Sequence, residues 1–159
     1  MREILLRGKR IDNGDWVTSG NLITFNDEGE GKMFFIPEQN AKCTCTHDDQ
    51  DNILSFNSGV FYKVDPKTMG QYTGKTARDG VKIFEGDIVK ANVIQNTGRE
   101  VFKYTGIYVV TYHPDYCYFY LKREGNNLLF DRNWSYGVFI EEVVGNIHDN
   151  PELKEEVQK

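Results

Sequence analysis

Between Met69 and Asp87 glycine recurs four times, in Met69-Gly70-Gln71-Tyr72-Thr73-Gly74, Asp79-Gly80 and Glu85-Gly86-Asp87, among Tyr, Val, Ile and Phe. Only glycine takes positive φ at little cost, so this density among β-forming residues reads as tight turns and bulges. The flanking sequence agrees. Glu3–Ile11 and Asp15–Phe25 are strand-like, and Asn13-Gly14 between them predicts a hairpin with a type I′ turn. Asn26–Lys32 reads as a loop, Lys32–Pro37 as a short strand, and Val60–Val64 as a strand closed by the Asp65-Pro66 turn signal.

Beyond the glycines, strands are expected at Ile88–Ile94, Val101–Tyr112, Tyr116–Leu121, Leu128–Phe130 and Phe139–Ile147. Gly98, Pro114, Gly125-Asn126 and Asn133–Gly137 separate them. Short strands at this spacing argue for a small barrel or sandwich rather than a βαβ sheet. One helix is signalled, at the end: Asn150 can cap it, Pro151 suits its first position, and Leu153 and Val157 would dock it. The expected fold is therefore mostly β: an N-terminal hairpin-based module over residues 1–77, packed with a β module over 78–150, and a short helical tail over 151–159.

Charge and composition exclude several classes. The net charge is −5, which gives no general attraction for a phosphate backbone or an anionic membrane. No apolar run approaches the roughly 20 residues of a membrane span, and charge interrupts the N-terminus too early for a signal peptide. Three cysteines without a disulfide-framework spacing favour free thiols in a reducing compartment, hence the cytoplasm.

Few constellations carry chemistry. Cys43-Thr44-Cys45-Thr46-His47 would place two thiols and an imidazole on one face of a strand, but zinc needs four ligands and a wider cysteine spacing. No metal is expected. Asp48, Asp49, Asp51 and Asn52 read as a solvated turn, because the EF-hand offsets fail. Cys117 lies in an aromatic run, where an inert buried thiol is expected. Glu141 and Glu142 would alternate faces on a strand, so only one could enter a site. Arg7, Lys9 and Arg10 form a small basic patch near the first turn, offset by Asp12 and Asp15. No nucleophile elbow, zinc-protease helix or phosphate-binding loop is present in the sequence, and no catalytic residue or cofactor is assigned.

The tyrosines stand out instead. In a strand Tyr116, Tyr118 and Tyr120 share one face while Cys117, Phe119 and Leu121 share the other. If the second face is core, the tyrosines form an outward ladder that Trp134 and Tyr136 can extend. Such rings, apolar in body and polar at the tip, suit a peptide or a single strand. The alternative is a packed face that only stabilises the sheet.

Two segments go beyond generic patterning. Val64-Asp65-Pro66-Lys67-Thr68-Met69-Gly70-Gln71-Tyr72-Thr73-Gly74 and Asp79-Gly80-Val81-Lys82-Ile83-Phe84-Glu85-Gly86-Asp87-Ile88-Val89 resemble the signature of the YopX family of phage and prophage proteins. Leu6-Arg7-Gly8-Lys9 with Gly14-Asp15-Trp16-Val17 resembles that family's opening, and Glu142–Leu153 its ending. The resemblance implies a C-terminal part similar to an SH3-type barrel, a phage or prophage origin and a bacterial cytoplasm, and it implies no activity. Within the motif Gly70, Gln71, Tyr72, Gly74, Gly86 and Asp87 read as structural.

The leading functional expectation is a non-catalytic module that binds a protein partner through Tyr116, Tyr118, Tyr120 and Trp134. A nucleic-acid accessory protein is the second reading, disfavoured by net charge. A thiol- or metal-dependent enzyme resting on Cys43, Cys45 and His47 is the third. No membrane association is expected, and a homo-oligomer is left open.

Overall fold

A computed structural model describes residues 3–27, 31–37, 43–47, 53–58, 61–96, 98–123, 126–129 and 136–153. The chain divides into two compact units, Met1–Gln71 and Tyr72–Lys159, with the division inside a long strand. Mostly β is the correct class: the described residues hold thirteen strands, all paired antiparallel, and one helical turn at 151–153. Val157, expected to dock that helix, lies outside the described residues.

In the first unit β1 (Leu6–Arg10) and β2 (Trp16–Ser19) form the expected hairpin, but its turn differs. Gly14 N donates to Arg10 O (3.1 Å) and Arg10 N to Asp15 O (2.9 Å), so the loop spans residues 11–14. Gly14 has φ +77° while Asn13 does not enter positive φ, and a type I′ turn needs both. Asn13 works through its side chain, whose Oδ1 accepts from Asp15 N at 3.0 Å. The strand expected over Asp15–Phe25 breaks at Gly20, where β3 (Ile23–Asp27) turns to pair with β4 (Gly31–Pro37). That pair takes in part of the expected Asn26–Lys32 loop.

The strand expected to stop at Val64 instead continues as β7 (Phe61–Thr76), 16 residues long. The Asp65-Pro66 signal acts locally. Asp65 Oδ1 accepts from Lys67 N (3.0 Å), and Thr68 Oγ1 donates to Asp65 O (2.7 Å) and accepts from Lys9 N (2.9 Å). Pairing with β1 jumps from Lys9↔Asp65 to Arg7↔Gly70 across this bulge, and the strand resumes. The sheet order is β2-β1-β7-β4-β3. Among the described residues of the first unit, Leu5, Ile36 and Val64 are the buried apolar side chains. Gly8 lets β1 close over them: a Cβ there would meet Val64 Cβ at 3.0 Å and Ile36 Cδ1 at 3.3 Å. A separate two-stranded sheet pairs β5 (Cys43–His47) with β6 (Ile53–Ser58).

In the second unit β8 (Lys82–Phe84) pairs with the end of β7. The remaining strands, β9 (Asp87–Asn96), β10 (Val101–His113), β11 (Tyr118–Arg123), β12 (Asn126–Leu129) and β13 (Tyr136–Asn146), form one sheet in the order β12-β11-β10-β9-β13. Its core face follows the two-residue period: Val89, Ala91 and Val93 on β9, Tyr108 and Val110 on β10, Phe119 and Leu121 on β11, and Leu128 on β12. Burying each large apolar side chain stabilises the fold by about 1.5–3 kcal/mol. β12 and β13 are the edges, and no pairing between them closes the sheet among the described residues.

Candidate functional site

The central motif resolves into backbone architecture. Gly74 (φ +82°) sits where the β7–β8 register shifts, and Gly86 (φ +83°) forms the turn between β8 and β9. Gly70 differs: it is buried in β7 opposite Arg7 and has no positive φ. Gln71 pairs with Leu6, and the Tyr72 ring packs on Phe84 with centroids 5.5 Å apart. Thr73 Oγ1, buried, donates to Ile83 O at 2.9 Å. Gly86 N donates to Val110 O (2.9 Å) and its carbonyl accepts from Ile147 N (3.0 Å), joining the turn to β10 and to the end of β13.

Asp87 is 1% exposed. Its Oδ2 accepts from Phe84 N at 2.7 Å and its Oδ1 from Asn146 Nδ2 at 3.3 Å. Asn146 Oδ1 in turn accepts from His148 N at 2.9 Å. This carboxylate caps its own turn and ties it to the end of the neighbouring strand β13. Asn146 was not singled out from sequence, because its role depends on β13 lying beside β9.

The tyrosines occupy the far end of the β10–β11 hairpin. Its turn is residues 114–117, so Tyr116 and Cys117 lie in the turn rather than in a strand. Cys117 is therefore exposed, with φ +54° and Sγ 3.5 Å from Pro114 O, and not the buried thiol expected. The strand alternation holds from Tyr118 onward: Phe119 and Leu121 are buried, while Tyr118 is 37% and Tyr116 69% exposed. Tyr120 is half-buried. Tyr112 belongs to the opposite face, packed on Phe119 with centroids 5.2 Å apart. A hydrogen bond to Cys117, then burial, holds the Tyr112 phenol above its usual pKa.

The fourth ring of the cluster is His113. Cross-strand pairing sets it opposite Tyr118, and its centroid lies 4.8, 5.6 and 6.0 Å from those of Tyr116, Tyr118 and Tyr120. Tyr116 and Tyr118 stack at 18° with centroids 5.9 Å apart. His113 Nδ1 is buried by these rings and has no hydrogen-bond partner among the described residues. The turn carries Asp115 and no Lys or Arg. Hairpin parity was the signal for His113: with a turn at 114–117, it must share a face with Tyr118. Trp134 lies outside the described residues, as does the side chain of Tyr136.

Other expected groups are distributed elsewhere. Arg7 stands over Trp16 (4.7 Å) and Arg10 over Tyr62 (4.1 Å), with Arg10 Nε also donating to Asp12 Oδ1 at 2.9 Å. Both guanidinium groups are thus engaged within the first unit. The side chains of Cys43, Cys45 and His47 and the Asp48–Asn52 turn lie outside the described residues. Glu141 and Glu142 do not alternate as expected. A bulge between Ile140 and Glu142 turns both toward one hollow that also includes Lys90, Asn92 and Thr105. Glu141 accepts from Asn92 Nδ2 (2.7 Å) and Arg78 Nη1 (3.2 Å), and Glu142 from Lys90 Nζ (3.4 Å). These two carboxylates are each matched by a cation, and Asp79, whose Oδ1 accepts from Val81 N at 3.0 Å, is the third acidic residue of the hollow.

These features define a class: an antiparallel β protein of two units whose polar clusters serve its turns and whose rings gather at one hairpin end. The family described as YopX protein matches residues 7–155, and the chain belongs to that family. No curated protein and no solved structure matches the chain. No helix among the described residues is long and apolar enough to cross a membrane.

Proposed function

We propose that the protein is a non-catalytic interaction module of a phage or prophage, acting in the bacterial cytoplasm and binding a protein partner through the ring cluster of the β10–β11 hairpin. The observation that carries this reading is the exposure of Tyr116 and Tyr118 against a half-buried His113. Rings of this kind supply large contact area at low entropic cost, and Tyr is enriched where interfaces carry most of their binding energy. The acidic net charge and the absence of cations in the turn favour a protein over a nucleic acid. An SH3-type barrel form for residues 78–150 belongs to the same reading. The bulges in β13 and its long pairing with β9 supply the bending that a small barrel needs.

The test is affinity purification from prophage-induced cells with the wild-type chain and the Tyr116→Ala/Tyr118→Ala variant, each with and without nuclease. The reading expects a nuclease-resistant protein partner retained by the wild type and lost by the variant. A partner released by nuclease, or one held equally by both chains, would refute it.

A further inference from the structure

The face of a phenol ring is its negative side, and a cation placed over it is attracted. This chain makes that contact three times: Arg7 over Trp16, Arg10 over Tyr62, and Lys82 over Tyr72 at 5.6 Å. Among the described residues no Lys or Arg stands over Tyr116, Tyr118 or Tyr120. The planes of Tyr116 and Tyr118 lie within 18° of parallel, and Tyr120 crosses Tyr118 at 79° with centroids 6.2 Å apart. Tyr116 and Tyr118 are both exposed, so ring surface at the hairpin end stays open.

The charge around these rings has the same sign. Asp115 is exposed in the turn and has no ion-pair partner among the described residues. Glu85 reaches the same hairpin end from the turn between β8 and β9: after the Cys117 contact and burial, its charge adds to the rise of the Tyr112 pKa. On β10 the ring face carries Thr111 and Val109 beside His113. On β11 it next carries Lys122, two residues past Tyr120 and away from the turn. The tip thus joins open ring faces to carboxylates. A guanidinium suits this pair better than an ammonium, because its plane can lie flat on a ring while its N–H groups reach a carboxylate at the rim.

We infer that the ring cluster is an arginine site and that the partner segment it takes is basic. The guanidinium lies on the faces of Tyr116 and Tyr118, and Asp115, next to Tyr116 in the chain, accepts from it. The inference rests on the reading of the protein as a protein-interaction module and gives the chemistry of that same surface.

The test is an NMR titration of the isotope-labelled full chain with three synthetic peptides, in which glycine alternates with arginine, citrulline or glutamate. Citrulline keeps the planar group and removes its charge. The arginine peptide should shift the amides of Asp115, Tyr116 and Tyr118 and the ring signals of both tyrosines. The citrulline peptide should bind at least about tenfold more weakly, as the attraction to two rings is lost, and the glutamate peptide should give no response. Tyr116→Phe/Tyr118→Phe should keep the response. Tyr116→Leu/Tyr118→Leu, apolar but without a ring face, should weaken it at least about tenfold, with unshifted amides at Val89 and Leu121 showing that the sheet is intact. Asp115→Asn should weaken it roughly twofold to fivefold. Equal binding of the citrulline or glutamate peptide, full binding by the leucine variant, or no shift at these residues at millimolar arginine peptide overturns the inference. If the arginine peptide fails while Tyr116→Ala/Tyr118→Ala still loses the partner, the functional reading stands and the arginine site falls. If the arginine peptide binds while that variant keeps the partner, the functional reading falls and the arginine site stands.

Discussion

Exchanging Asp87 and Asn146 tests whether the Glu-Gly-Asp segment is architecture. Asp87 accepts from two donors, Phe84 N at 2.7 Å and Asn146 Nδ2 at 3.3 Å, in a site 1% exposed. Asp87→Asn keeps the shape and one acceptor, which can serve Phe84 N, but sets an amide NH₂ against that of Asn146. One buried donor then lacks an acceptor, at about 1–3 kcal/mol. Asn146→Asp should be worse, about 3 kcal/mol or more, because two carboxylates would face each other in a buried site. The double exchange restores one donor facing one acceptor. The carboxylate introduced by Asn146→Asp would still accept from His148 N, as the Asn146 amide oxygen does at 2.9 Å. At about 2–4 °C per kcal/mol for a chain of this size, Asp87→Asn should lower Tm by roughly 2–12 °C. The double variant should lie above Asn146→Asp. Thermal melting by circular dichroism, supported by urea titration, reads all four chains. A silent Asp87→Asn, or a double variant no better than the sum of the singles, would refute the reasoning.

Gly86→Ala should cost about 1–2 kcal/mol and Gly86→Val more, since the space is adequate (3.5 Å to Ile147 Cγ1) and the strain lies in φ +83°; urea midpoints check both. Tyr108, fully buried, has its phenol held above the usual pKa by burial and next by Tyr104. Its unfolded form releases the proton first, so stability should fall as pH rises past about 10 and continue falling to the folded pKa. Denaturation across alkaline pH checks this, and Tyr108→Phe should flatten the slope.

Much of the second unit was legible because one face of its sheet is buried. The alternation at Val89, Ala91 and Val93, and again at Phe119 and Leu121, records that burial directly. The first unit was harder to read where a local signal competed with pairing. Asp65-Pro66 does form a side-chain-supported turn, yet β1 on one side and β4 on the other hold β7 extended around it. The ring face was visible as a pattern of tyrosines, but its register depended on where the hairpin turned. With the turn at 114–117, Cys117 leaves the strand and His113 joins the cluster. Asn146 and the paired Glu141 and Glu142 were not legible. Their positions follow from β13 pairing with β9 and from a bulge that breaks the two-residue period.

The central claim is that the rings at the end of the β10–β11 hairpin are there to bind and not to hold the fold together. Its most direct test measures Tm and partner retention side by side for the wild type and Tyr116→Ala/Tyr118→Ala. Tyr116 is 69% and Tyr118 37% exposed, so the lost ring contacts should cost about 1–2 kcal/mol and lower Tm by no more than about 8 °C. Retention should fall at least about tenfold, as expected for central aromatic contacts. A collapse of the fold, or unchanged retention by a folded variant, would contradict the claim.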